Sequence, residues 1–171
     1  MDKKIDLQKS LAQSKLRFTN SNSLIKYTLP FTLFIIGTLF LIGLYYAYNL
    51  PFLIVFISIM IICILSIATI FKNEKLFEIT VSKPAFEFKK DIETKIDGLG
   101  WKIVWANNEY ITANEYGKIV AGSQISILFY KKSIFVNVQN LNGFRGYFPF
   151  SFGTNKKIRK MIVMMIGQID T

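Results

Sequence analysis

The segment "SFGTNKKIRK", residues 151–160, sets a glycine and a threonine ahead of Lys156, Lys157, Arg159 and Lys160. A helix N-terminus presents unpaired N–H groups, so a helix starting here with added lysines would suit an anion. Thr154 is the expected N-cap, its hydroxyl accepting one of those N–H groups. Capping accounts for the threonine but not for the lysines, because cations in a first turn oppose the helix dipole. A single glycine does not make a phosphate loop, which sets several glycines around a Lys-Ser/Thr pair. The expectation is therefore electrostatic. Thr154, Lys156, Lys157, Arg159 and Lys160, together with Lys72 and Lys75, form a contact for an anion or an anionic lipid headgroup.

Other chemistry is sparse. The chain has no histidine, which removes the commonest general base and metal ligand. Its one cysteine, Cys63, lies in an apolar run, where burial raises a thiol's pKa. A Cys/His metal site is excluded with it. Glu87 and Asp91 share a helix face but stand among Lys83, Lys90 and Lys95, as on a solvated surface. Glu109 and Glu115 flank a strand and read as turn residues. No Walker, GxGxxG, HExxH or GxSxG pattern occurs. No enzyme activity, catalytic residue, metal or cofactor is expected. The net charge of +10 raises nucleic-acid binding as a second reading, with Trp101, Trp105, Tyr110 and Tyr147 as stacking candidates; tryptophans that fill the core are the favoured alternative. A third reading, a small enzyme, would need two of Glu109, Glu115, Tyr110 and Lys102 to converge in a pocket.

The elements that hold these residues divide into three stretches. Residues 1–26 are basic and polar, with Ile5, Leu7, Leu11 and Leu16 spaced for an amphipathic surface helix. From Tyr27 to Phe71 there is no charged residue. Such a run is long enough for two membrane helices of about 20 residues each, broken at Asn49-Leu50-Pro51. The expectation is a transmembrane helical hairpin, 27–48 and 51–71. Thr28, Thr32 and Gly43 on the first helix, and Ser58 and Thr69 on the second, are the small or hydroxylated residues expected to let helices pack closely. Lys3, Lys4, Lys9, Lys15, Arg17 and Lys26 precede the hairpin, and Lys72 and Lys75 follow it. By the positive-inside rule both termini are expected on the cytoplasmic side of an inner (plasma) membrane.

Residues 76–171 read as an α+β domain. "LFEITV" alternates as a strand. "SKPAFEFKKDIETKIDGLG" is a helix capped by Ser82, with Ala85, Phe88, Ile92, Ile96 and Leu99 on its apolar face and Gly98 or Gly100 at its end. "WKIVW", "EYITA", "QISILFY" and "SIFVNV" follow as strands joined by short turns, favouring an antiparallel meander of four or five strands. Trp101, Ile103 and Trp105 should share one face. "FRGYFPF" would add an irregular edge strand. A last helix carries Ile158, Met161, Ile162, Met165 and Ile166 as its stripe.

Two uncharged spans followed by an α+β domain closing on "FPFSFGTNKK" resemble uncharacterised small bacterial membrane proteins over residues 27–160, a resemblance that implies no activity. The expected function is non-catalytic: an inner-membrane anchored interaction or accessory protein. Its partners would be an anionic bilayer and a second protein or another copy of itself, with nucleic acid disfavoured.

Overall fold

The computed structural model describes residues 4–19, 32, 35–40, 42–44, 46, 52–115, 122–140 and 153–170. The chain forms two compact units: residues 1–21 with 73–171, and residues 22–72.

The first unit is built on five antiparallel strands: β1 (Phe77–Thr80), β2 (Trp101–Ala106), β3 (Tyr110–Glu115), β4 (Ser123–Tyr130) and β5 (Ser133–Asn140). Their spatial order is β1-β5-β4-β3-β2. Strands β2 to β5 make the expected meander, and β1 joins its far edge by pairing Ile79 with Ile134. The alternation of β3, β4 and β5 sends Ile111, Ala113, Ile125, Ile127, Phe129, Ile134, Val136 and Val138 into one core. A 3-10 turn (Ala85–Phe88), the helix α3 (Lys89–Gly98) and the helix α4 (Thr154–Asp170) supply the rest of that core. Ala85, Phe88, Ile92 and Ile96 are buried from one side, and Ile158, Ile162, Met165 and Ile166 from the other.

Several local expectations change. Leu99 is exposed rather than part of the helix stripe, because the chain leaves α3 there and turns through Gly100 at φ +76°. The left-handed conformation favours glycine, which has no Cβ to clash. Trp101, Ile103 and Trp105 do not share a face. The β2–β3 register shifts between Ile103 and Trp105, and such a bulge re-aims the residues beyond it. Trp101 is therefore core while Trp105 is 38% exposed. Ser82 does not cap a helix; its backbone N–H and hydroxyl both donate to the Asp170 carboxylate at the end of α4.

The opposite face of the sheet is covered by the chain's first residues. A seven-residue helix, α1 (Leu7–Gln13), is capped by Asp6, whose side chain accepts from the Lys9 N–H. On either side of it the chain is extended, with Ile5 bridged to Phe18 and Lys15 bridged to Lys75. Ile5 and Leu16 pack with Leu76, Tyr110 and Leu128 in a second buried cluster. The Leu16 N–H donates to the Glu74 carbonyl at 2.8 Å and the Leu76 N–H to the Ser14 carbonyl at 3.0 Å. Arg17 closes the clasp with an ion pair to the largely buried Glu74 at 3.0 Å. The N-terminal segment, expected as a separate surface helix, is thus part of the sheet unit.

The second unit holds short described helical pieces at 35–40 and 42–44 and the helix α2 (Phe52–Asn73), which runs out of it. Gly37 lies against Ile59: a Cβ added there would come within 2.9 Å of the Ile59 side chain. Leu53, Ile54, Ile57, Ile61, Ile64 and Leu65 are exposed. Among the described residues no helix is long and apolar enough to cross a membrane. This overturns the fold class expected from the uncharged run, a two-span transmembrane hairpin over 27–48 and 51–71. An uncharged run fixes composition, not the architecture that its apolar side chains build. The inner-membrane location and the cytoplasmic termini fall with it, since the positive-inside rule orients spans and says nothing of cations without one. The stretch "FRGYFPF" lies outside the described residues.

Candidate binding cleft

A concavity of the sheet unit follows from how three turns are tied together. The β4–β5 hairpin turns at Lys131-Lys132, with Lys131 in the left-handed region at φ +49°. The Lys131 carbonyl accepts from the Ala85 N–H at 2.7 Å, and the Lys132 carbonyl from the Val81 N–H at 3.0 Å. These bonds fasten the hairpin to the start of the 3-10 turn. On the other side Asn107 organises the β2–β3 turn, its Oδ1 accepting from the N–H groups of Glu109 and Tyr110. The Glu109 carbonyl then accepts from the Phe129 N–H at 2.8 Å. Between the three turns lies an open cleft of about 500 Å³, lined by Pro84, Phe86, Lys89, Asn108, Phe129, Tyr130 and Lys131.

Phe129 is buried in the core. Phe86 and Tyr130 stand exposed at 62% and 43%. The ionisable cations of the lining are Lys89, which pairs with Glu93 at 3.6 Å, and Lys131, whose Nζ lies 5.2 Å from the Tyr130 ring centroid. The lining carries no carboxylate. Sequence reasoning missed this cleft because its residues come from three separate segments. Phe86 alone carried a signal: a large aromatic between the buried Ala85 and Phe88, where the apolar pattern did not need it.

The residues expected as an anion contact are partly dispersed. Lys156, Lys157 and Lys160 are exposed on α4, as are Lys72 and Lys75 in their own segments. Arg159 is not free to join them. Its guanidinium lies over the Phe77 ring, 3.5 Å from the centroid, and burial pulls its pKa below the ordinary arginine value. Thr154 is exposed and already helical, and the Gly153 carbonyl accepts from the Lys157 N–H at 3.1 Å. Gly153, at φ +84°, therefore takes the cap position expected for Thr154. Next to it Asn155 is only 8% exposed, and neither of its side-chain amide atoms has a hydrogen-bond partner among the described residues.

The residues expected to pack helix on helix behave differently again. Thr32, Gly43 and Ser58 are exposed, and the Ser58 hydroxyl donates back to the Ile54 carbonyl. Thr28 and the Thr69 side chain lie outside the described residues. The close approach in that unit runs through Gly37 and Ile59 instead. Of the four stacking candidates, Trp101 and Tyr110 are buried, and Tyr110 accepts a hydrogen bond from the Ile5 N–H. Trp105 has the Lys4 Nζ 6.0 Å from its ring centroid, and Tyr147 lies outside the described residues. None of Glu109, Glu115, Tyr110 and Lys102 lines the cleft, and no cluster of potential metal ligands occurs among the described residues.

Comparison with protein-family models, with curated proteins and with solved structures returned no match.

Proposed function

We propose that this chain is a non-catalytic interaction protein whose α+β unit captures a segment of a partner protein in the cleft between the 3-10 turn and the β4–β5 hairpin. The observation that carries the reading is the pair Phe86 and Tyr130, two large aromatics held exposed on a backbone fastened by the Ala85–Lys131 and Val81–Lys132 hydrogen bonds. Aromatic side chains supply contact area at low entropic cost and dominate the energetics of interfaces. A preformed backbone spares the ordering cost that weakens binding by mobile loops.

The test is a photo-crosslinking residue in the full chain, at Phe86 and, as a control, at Met164, which is exposed on α4. The expected result is a discrete protein adduct from the Phe86 position alone, lost when Tyr130→Ser is added. Equal adducts from both positions, or none from Phe86, would remove the reading.

A further inference from the structure

Resting on that reading, we infer that the cleft recognises a short acidic segment of the partner, with one large apolar or aromatic side chain flanked by carboxylates. The apolar part of the lining is Pro84, Phe86, Phe129 and Tyr130, of which Phe86 and Tyr130 are exposed. Its charged lining residues, Lys89 and Lys131, are both cations. The Asn108 side chain adds an amide that can donate to a carboxylate or a peptide carbonyl. An apolar centre with a cationic rim matches an apolar anchor between acids, and opposite charges across a rim set specificity and on-rate.

Lys131 adds a second line of argument. A left-handed backbone strains an ordinary residue, whose Cβ crowds the chain, in a way that glycine avoids. The chain nevertheless carries a lysine at φ +49° in this turn. The Lys131 carbonyl bonds to the Ala85 N–H, but any residue would provide that carbonyl. What the lysine adds is an ammonium beside the Tyr130 ring. Strained backbone retained at a rim is the kind of outlier from which a binding role can be argued.

A polynucleotide fits this surface less well. Single strands need a cationic groove that tracks several phosphates. Here Glu87, Glu93 and Glu109 adjoin the lining residues in sequence, and Lys89 is already paired with Glu93. Two lining cations are too few to track several phosphates, whereas they suffice for the acids of a short peptide.

The experiment titrates the full chain with three fluorescent nonapeptides and an oligothymidylate. The peptides carry a central Phe between Asp and Glu, the same Phe between lysines, and the acidic frame with Ser for Phe. The acidic Phe peptide should bind, and each of the other peptides should bind roughly tenfold or more weakly, the scale of reversing two rim charges or losing one anchor. Lys131→Gly separates binding from folding: it should weaken the acidic peptide several-fold while the unfolding midpoint stays level or rises. Lys89→Gln should act in the same direction. Equal affinity for acidic and lysine-flanked peptides, tighter binding of the oligothymidylate, or an indifferent Lys131→Gly would overturn the ligand class. If that happens while crosslinking from Phe86 still captures a partner, only the ligand class fails. If the crosslink is absent as well, the interaction reading fails with it.

Discussion

At the level of single residues, two long-range polar contacts do what no neighbouring residues could. Arg17 and Glu74 meet at 3.0 Å with Glu74 largely buried. Removing one member of such a pair leaves a charge without its counter-ion. Glu74→Ala should cost about 1–3 kcal/mol in chemical denaturation, below the figure for a fully enclosed pair because the Arg17 side chain keeps 23% exposure. A loss no larger than that of an ordinary surface substitution would show the pair to be incidental. Asp170 differs, since it is half-buried and its carboxyl is held below the usual range by hydrogen bonds from the Ser82 side chain and backbone. A depressed carboxylate contributes stability above its unfolded pKa, and that stability is lost as pH falls through the folded value. Ser82→Ala should therefore lower the thermal midpoint at neutral pH. The gap to wild type should close in acid, where Asp170 is protonated in both. A gap that is constant with pH would assign the effect to packing.

Among the elements, the β-hairpins are the parts whose behaviour is most predictable. Ile127 is fully buried at the centre of β4, so Ile127→Ala should cost about 2–5 kcal/mol by the transfer and cavity terms of a core deletion, measured by urea unfolding. A loss under 1 kcal/mol would mean that the sheet is not the cooperative core. These strands were legible in the sequence because alternation is local: "QISILFY" and "SIFVNV" state which residues face inward without reference to anything distant. The stripe of α4 was legible for the same reason. The bulge that turns Trp105 outward was not, since a register shift belongs to a pair of strands. Nor was the N-terminal segment. Ile5 and Leu16 are single apolar anchors around a polar helix, and their partners Leu76, Tyr110 and Leu128 lie far along the chain. The uncharged run misled in another way. It was read as a finished architecture, whereas it fixed only where apolar side chains would concentrate. The cleft, assembled from three segments, left only the surplus Phe86 as a trace.

For the molecule as a whole, the clasp of Lys15 against Lys75 means that the chain leaves the sheet unit near Ser21 and re-enters it at Asn73, a few residues from a point where its two ends run side by side. Replacing residues 22–72 with a short Gly/Ser linker should leave the sheet unit folded, with dispersed amide resonances and the same affinity for the acidic Phe peptide. Collapse of the dispersion on excision would show that the second unit is needed for the first to fold. The same clasp imposes an order on synthesis. Ile5 and Leu16 are made well before their partners, and Leu76, Tyr110 and Leu128 must all be translated before the cluster can close, just as β1 must wait for β5. A nascent chain carries Ile5 and Leu16 without these partners until β4 has been translated, so a chaperone that reads exposed apolar segments would engage this stretch before the sheet forms and be displaced only when β5 arrives.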